Sequence, residues 1–487
     1  MIPLIVAALI IPLLTAAFIL FARARIVIKR IHMAGSIITS TVLLTLTYGI
    51  YLSGPVGQGL LYMDHLSAVL VTLIAILTFT AALFSLSYMD KEVAHEPSPG
   101  KAVKRYYILF QIFTFTMISV LVVENLGLMW VAVEATTLAS ALLVAFSFSR
   151  AAIEAAWKYV MVCTVGICLA LLGTILLYFA QLSTGLEGEA LSWLALKAIG
   201  GKLDPSMVKI AFIFIIIGYG TKVGLAPMHT WLPDAHSQAP SPVSGLLSGA
   251  LLSCALYVMM RNIAIVRDSL AFDFIQQLLV GLGLFSVMLV VPFLLVQHDV
   301  KRLLAYSSVE HMGIITLALG IGTPLAVYGA LLHIFNHAIA KSGLFYLAGI
   351  ITQEYRTKQI MRIRGILAQM PRLGSLFLVF VLIITGAPPF GIFFSKFIIT
   401  WAAFAGGFTL VGTALLVLLG AVFAGMMHYS FQMVFSSQTG TEHTTPMGAG
   451  AATAVIVSLL LITISGFYLP DALETVLHQA ATIVTGG

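Results

Sequence analysis

Apolar positions along this chain do not alternate or form narrow stripes; they come as long runs separated by short polar segments. A helix of about 20 apolar residues crosses the roughly 30 Å hydrocarbon core of a bilayer. Runs of that kind fall near 2–22, 34–52, 66–88, 106–123, 126–148, 157–181, 208–230, 240–260, 272–296, 303–321, 325–350, 374–402, 408–435 and 450–470. The pattern predicts an all-α, polytopic membrane protein with about 14 transmembrane helices, which puts both termini on one side.

Composition supports this reading. Of 487 residues 60% are hydrophobic and 9% charged, with a mean hydropathy of +1.05. An average soluble domain carries about 25% charged residues, so the length is used up by spans rather than by soluble domains. The net charge of +6 does not imply nucleic acid, because the basic residues sit mostly in short loops. Loops after odd-numbered spans hold 17 Lys/Arg, whereas those after even-numbered spans hold five: Lys197, Lys202, Lys209, Arg261 and Arg267. Cytoplasmic loops are enriched in Lys and Arg, so both termini are expected on the outer, periplasmic side of the cell inner (plasma) membrane. No cleavable signal peptide is expected, since the first apolar run starts at Met1 and its charges follow it. Cys163, Cys168 and Cys254 lie in apolar segments without metal-ligand spacing and read as packing residues.

Three basic residues fall inside spans: Lys222, Lys341 and Lys396. A lysine near the bilayer centre costs about 2.5–3.5 kcal/mol or more, so packing alone does not explain it. Glu134, in "LMWVAVEATTLASALLV", is the only acid of its span; paired with a lysine it stays charged, and each partner's proton occupancy then depends on the other. His333, His337 and Lys341 recur at i, i+4 and i+8, which stacks them on one helix face as a proton relay would require. Glu310 and His311 add a polar element midway along the neighbouring span, as relay members or as structural partners. Glu124 sits at a span edge, where water is expected to solvate it.

Two spans are interrupted. The stretch "KVGLAPMHTWLPDAH" carries Lys222, Pro227 and His229, and "TGAPPFGIFFSKF" carries Pro388, Pro389 and Lys396. Proline removes an intrahelical hydrogen bond, and such a break survives in a membrane only where protein or water satisfies the freed carbonyls. Broken helices seven and twelve, five spans apart and each with a lysine, suggest two inverted five-helix repeats. The expected organisation is helices 1–3 over 1–105, a first repeat over 106–261, a second over 262–435 and a C-terminal helix 14 over 436–487.

"KVGLAPMHTWLPDAHSQAPSPVSGLLSG" and "DVKRLLAYSSVEHMG", followed in order by "HIFNHAIAKSGLFYLAG" and "GAPPFGIFFSKF", resemble the antiporter-like family. That family comprises the large proton-translocating membrane subunits of complex I, Mrp-type cation/proton antiporters and energy-converting hydrogenases. The resemblance implies that Glu134 and Lys222 are the coupled pair of helices five and seven. It also implies that Lys341 and the histidines form the central relay, and that Lys396 is the terminal lysine. Ser253, in "LLSCALY", stands where many complex I members carry a lysine, and together with "SSVEHMG" it resembles the hydrogenase-4 component F branch. The short stretch after the last span implies no lateral-helix extension.

The expectation is therefore a proton (or Na⁺) translocating subunit of a group-4 [NiFe]-hydrogenase or formate-hydrogenlyase-type complex. Its expected partners are other membrane subunits, peripheral [NiFe]-hydrogenase and iron–sulfur subunits, and lipid, with no nucleic acid. No cofactor or metal motif is present in the chain, and no catalytic residue is assigned. A complex I or Mrp-type antiporter subunit is the alternative within the family. A membrane cytochrome b is the alternative outside it, although His333 and His337 share a helix face and cannot ligate one haem from opposite sides.

Overall fold

The computed structural model describes residues 1–94, 97–185, 189–436 and 447–486. Its first half contains α1 (Ile2–Phe21), α2 (Arg25–Ser53), α3 (His65–Glu92), α4 (Pro99–Val122), α5 (Leu126–Val144), α6 (Arg150–Ser183), the short α7 (Trp193–Ala198), α8 (Pro205–Val223) and α9 (Trp231–Gln238). A small antiparallel hairpin, β1 (Val56–Gln58) with β2 (Leu61–Met63), precedes α3. The second half contains α10 (Ser241–Leu246), α11 (Leu252–Val266), α12 (Phe272–Leu295), α13 (Val300–Ile321), α14 (Pro324–Glu354), α15 (Ile366–Gln369), α16 (Pro371–Thr385), α17 (Gly391–Ala405), α18 (Thr409–Phe435), α19 (Ala449–Phe467) and α20 (Asp471–Thr485).

Among the described residues, thirteen helical stretches are long and apolar enough to cross a membrane, with α8–α9 and α10–α11 each forming one. The remaining expected span, 374–402, is a pair of shorter apolar helices, α16 and α17. Helix α20 has no counterpart among the expected spans; it packs against α3 and α14. Part of the expected C-terminal segment, 437–446 and residue 487, lies outside the described residues.

The helices are sorted by what surrounds them. Stretches α10–α11, α13 and α14 are enclosed almost completely, while α1, α12, α18 and α19 keep broad apolar faces outward. The two least apolar of the thirteen, α13 and α14, are among the enclosed ones. Lipid accepts only apolar side chains, so polar residues at membrane depth collect where other helices shield them. One continuous stretch, α10–α11, relaxes into a π-helical turn at Leu247–Leu251.

Both interrupted spans break by the same local device. Helix α8 ends at Gly224 (φ 84°) and α16 at Gly386 (φ 96°), each in the left-handed region that glycine enters without strain. The next amide folds back over the cap: Leu225 donates to the Gly220 carbonyl at 2.9 Å, and Ala387 to that of Leu382 at 2.9 Å. At Gly224 an added Cβ would also meet the Leu232 side chain at 2.4 Å.

Two cations expected in loops are interior. Arg261, counted with the loop after the eighth span, is fully buried in α11 and grips Asp64 with two bonds of 2.6 Å. Its guanidinium also stacks 4.2 Å from the Trp193 ring centre. A neutralising partner lets the charge lie deeper than hydropathy alone allows. Lys301 is likewise buried, in the first turn of α13. Asp64 meanwhile caps α3, accepting from the Ser67 amide at 3.0 Å. Burial pushes the Asp64 carboxyl up, but Arg261 and the Ser67 amide together reverse this and hold it below its ordinary value.

Arg261→Met or Asp64→Asn is expected to cost about 3–5 kcal/mol, because removing one partner strands a buried charge or donor. Replacing both with apolar residues should recover most of the loss. A folded-state value below the unfolded one makes this contribution complete above about pH 4 and lost as pH falls through the folded value. Thermal unfolding in detergent, as a function of pH, measures all three; an unchanged midpoint in the single variants would contradict them.

Candidate functional site

Each helix break supplies carbonyls without intrahelical donors, and a lysine lies beside each break. Lys222 sits in the last turn of α8, where a cation also complements the negative end of the helix dipole. Lys396, in the second turn of α17, reaches back across the other break to the Thr385 carbonyl at 3.5 Å. Both are buried.

Around Lys222, the expected contact with Glu134 is indirect. Lys222 Nζ donates to Thr137 Oγ1 at 2.6 Å and to the Tyr159 hydroxyl at 2.8 Å. Thr137 in turn donates to Glu134 at 3.2 Å, and Thr164 donates to the other carboxylate oxygen at 2.8 Å. The two charges are thus joined through one hydroxyl. Glu134 itself is half-buried, on the outward side of α5. Tyr159 receives a further contact from Ser140 at 2.8 Å and stacks on Trp231, with ring centres 4.6 Å apart.

Helices α13, α14 and α17 bring the second group together. Lys341 Nζ donates to the Leu304 carbonyl at 2.6 Å and, by a very short bond, to Ser307 Oγ. One turn earlier on α14 the His337 ring lies against His311, centre to centre 4.8 Å. His311 Nδ1 meets His333 Nε2 at 2.8 Å, and His333 Nδ1 meets Ser395 Oγ at 2.7 Å. Glu310 pairs with Lys396 at 2.9 Å and lies 3.6 Å from His311 Nε2. His337, His311, His333, Glu310 and Lys396 therefore form one contiguous cluster, with Glu310 as both ion-pair partner and neighbour of the imidazoles, and Lys341 follows His337 one turn along α14. The ring nitrogens of His337 have no protein hydrogen-bond partner.

A further hydroxyl pair adjoins the second group. Ser248, in the π-turn, meets Ser308 of α13 at 2.8 Å, beside the Ser307 that holds Lys341. Ser253 is buried and bonds back to the Gly249 carbonyl at 2.6 Å, so it joins no lysine. His229 is buried at the first break but stands apart from the axis, edge-on to Phe293 and Tyr306 at 6.0 and 6.1 Å. Glu124 is not solvated at a span edge: it is buried, accepting from Ser192 Oγ at 2.7 Å and the Leu194 amide at 2.8 Å. The α7 segment folds over it, a tertiary contact that local pattern does not reveal. Sequence reading also passed over Thr137, Tyr159, Thr164, Ser307 and Ser395. Thr137 lies one turn from Glu134 and Ser395 adjoins Lys396, which was the available signal.

Comparison with known proteins places this geometry. A sequence profile of the NADH:quinone oxidoreductase/Mrp antiporter transmembrane family matches residues 123–427. The hydrogenase-4 component F homolog of Methylacidiphilum infernorum is 41% identical over 374 residues, 76% of this chain and 78% of that protein. NADH-quinone oxidoreductase subunit N of Desulforudis audaxviator is 30% identical over 360 residues, 73% of this chain and 69% of that one. A chain of the archaeal membrane-bound sulfane sulfur reductase, a respiratory membrane complex, shares the fold with a TM-score of 0.88 at 23% identity, covering 99% of this chain and 97% of its own.

Because Glu310 and Lys396 are buried 2.9 Å apart, removing either partner strands the other, so Lys396→Met and Glu310→Gln are each expected to cost about 3–5 kcal/mol. The Glu310→Gln/Lys396→Met double variant should recover most of that loss. Thermal unfolding in detergent measures this, and single variants as stable as the parent would contradict the pairing.

Proposed function

The chain belongs to the NADH:quinone oxidoreductase/Mrp antiporter membrane family, and from that premise we propose that it is the proton-translocating antiporter-like subunit of a hydrogenase-4 or formate-hydrogenlyase-type complex. The observation that carries the reading is the contiguous cluster of three imidazoles and the Glu310–Lys396 pair, one helical turn from buried Lys341. Ion-pair partners that exchange protons, lined up within a low-dielectric core, are the means by which membrane proteins move charge. The hydrogenase-type assignment is supported by the 41% identity to a component F homolog and by Ser253 and Glu310. In this reading redox chemistry belongs to partner subunits, including peripheral [NiFe] and iron–sulfur ones. The basic loops face the cytoplasm and the two broken helices belong to equivalent, inverted halves.

The mechanism is electrostatic. A charge change in a partner membrane subunit draws on Glu134, the half-buried member of its group, and alters its hold on Lys222 through Thr137. At about 4 Å and an effective dielectric of about 20, one unit charge is worth about 4 kcal/mol, or three pKa units. That is sufficient to load or unload a lysine. Lys222 then acts on Lys341 across the Tyr159, Trp231 and Ser248–Ser308 wall. The histidines pass the proton along, since imidazole both accepts and donates. Release occurs at Lys396 when its pairing with Glu310 loosens.

The cytochrome alternative fits the same residues poorly. His311 and His333 bond directly to each other at 2.8 Å, and a haem between them would require that contact to break.

Lys341→Met keeps most of the side-chain volume and removes the charge, so the complex should assemble and translocation should stop. Lys341→Arg should also fail, because guanidinium does not release its proton near neutral pH. Glu134→Gln and Lys222→Ala should each abolish translocation while leaving assembly intact. Proton uptake in proteoliposomes measures all four. Full-rate pumping by Lys341→Arg would show a fixed charge instead of a carrier and would overturn the relay.

A further inference from the structure

A vestibule of about 1150 Å³ opens among the ends of α3 and α14 and the start of α13, on the side of the loops that follow odd-numbered spans. Its rim is exposed, with Lys91, Glu92 and Arg356, and Lys91 pairs with Glu354 at 2.6 Å. At its floor is Lys301, only 2% exposed, whose Nζ donates to the Ala239 carbonyl. Nothing in the axis described above uses this lysine. Yet Leu304, whose carbonyl holds Lys341, lies one turn further along the same face of α13.

His236 lies next to this route. It is fully buried; its Nδ1 bonds the Leu232 carbonyl at 2.8 Å, and its Nε2 has no protein partner. Ser244 Oγ donates both to the His236 carbonyl, at 2.7 Å, and to the Ala239 carbonyl that holds Lys301, and the His236 ring lies 5.8 Å from that of Phe345, one turn from Lys341 on α14. A buried imidazole with one nitrogen anchored and the other without a hydrogen-bond partner among the described residues, set between the Lys301 anchor and the Lys341 turn of α14, is placed to carry a proton onward.

We propose that this vestibule is the aqueous mouth of the path, that Lys301 is its first proton acceptor, and that His236 hands the proton from Lys301 to Lys341. The inference rests on the proton-translocation reading and adds the mouth and the ion it takes. Five basic side chains line the vestibule against two acids, Glu92 and Glu354. A net-positive mouth repels metal cations. Protons differ, because they travel on water and are taken up by neutral amines. Burial pushes the neighbouring Lys358 ammonium below the ordinary lysine value, so the mouth favours amines that give up protons readily. The ion is accordingly a proton and not sodium.

The test uses the intact complex in proteoliposomes. Lys301→Met, Lys301→Arg and His236→Gln should each lose proton translocation while the complex assembles normally. The wild-type rate should not change as sodium is varied. In a variant whose three native cysteines are serine, Gln238→Cys should react with a membrane-impermeant thiol reagent added from the basic-loop side only. Lys341→Met serves as the reference. If it pumps normally, the translocation reading itself fails. If it stops while Lys301→Met and His236→Gln pump at full rate, only the mouth is wrong. Full activity in Lys301→Arg, labelling from the opposite side alone, or a sodium-dependent rate would each overturn the inference.

Discussion

An ionised group placed in hydrocarbon without a partner costs several kcal/mol, and the architecture of this chain follows from how that cost is offset. Apolar helices face outward, and the least apolar stretches, α13 and α14, are enclosed. Inside, ionisable groups are rarely alone. Arg261 has Asp64, Lys396 has Glu310, and Lys222 has the Thr137 and Tyr159 hydroxyls. These arrangements differ in kind. The bidentate Arg261–Asp64 pair, backed by Trp193, is a lock. The Lys222 group is looser, because its lysine and Glu134 meet only through a hydroxyl.

The helix breaks serve the same constraint. A continuous helix satisfies its own carbonyls and offers a cation little within the bilayer. Gly224 and Gly386 end α8 and α16 by the same left-handed cap, close to Lys222 and Lys396. Glycine at these two points ends each helix next to its buried lysine, and at the second break the Thr385 carbonyl accepts from Lys396.

Much of the fold was legible in the sequence because membrane spans are written as uninterrupted apolar runs. The breaks at Pro227 and at Pro388–Pro389 were legible because proline cannot continue a hydrogen-bonded ladder. The α14 stripe of His333, His337 and Lys341 followed from helical spacing alone. Partners across helices were not legible. That Glu310 faces Lys396, and that Thr137 stands between Glu134 and Lys222, depends on packing between segments far apart in sequence. Arg261 and Lys301 were misplaced for the same reason: a hydropathy window assigns a cation to a loop, whereas tertiary pairing or a cavity floor can bury it. Glu124 was misplaced because α7 folds over it.

The claim that stands or falls with the rest is continuity: a proton must find water or a titratable group at every step from Lys341 to Lys396. The most direct measurement is the position of ordered water in a map of the intact membrane complex. The expected result is a file of water that runs from Lys341 past His337 and His311 to Lys396. Closed apolar packing between Lys341 and the histidines, with water confined to the two membrane faces, would contradict it.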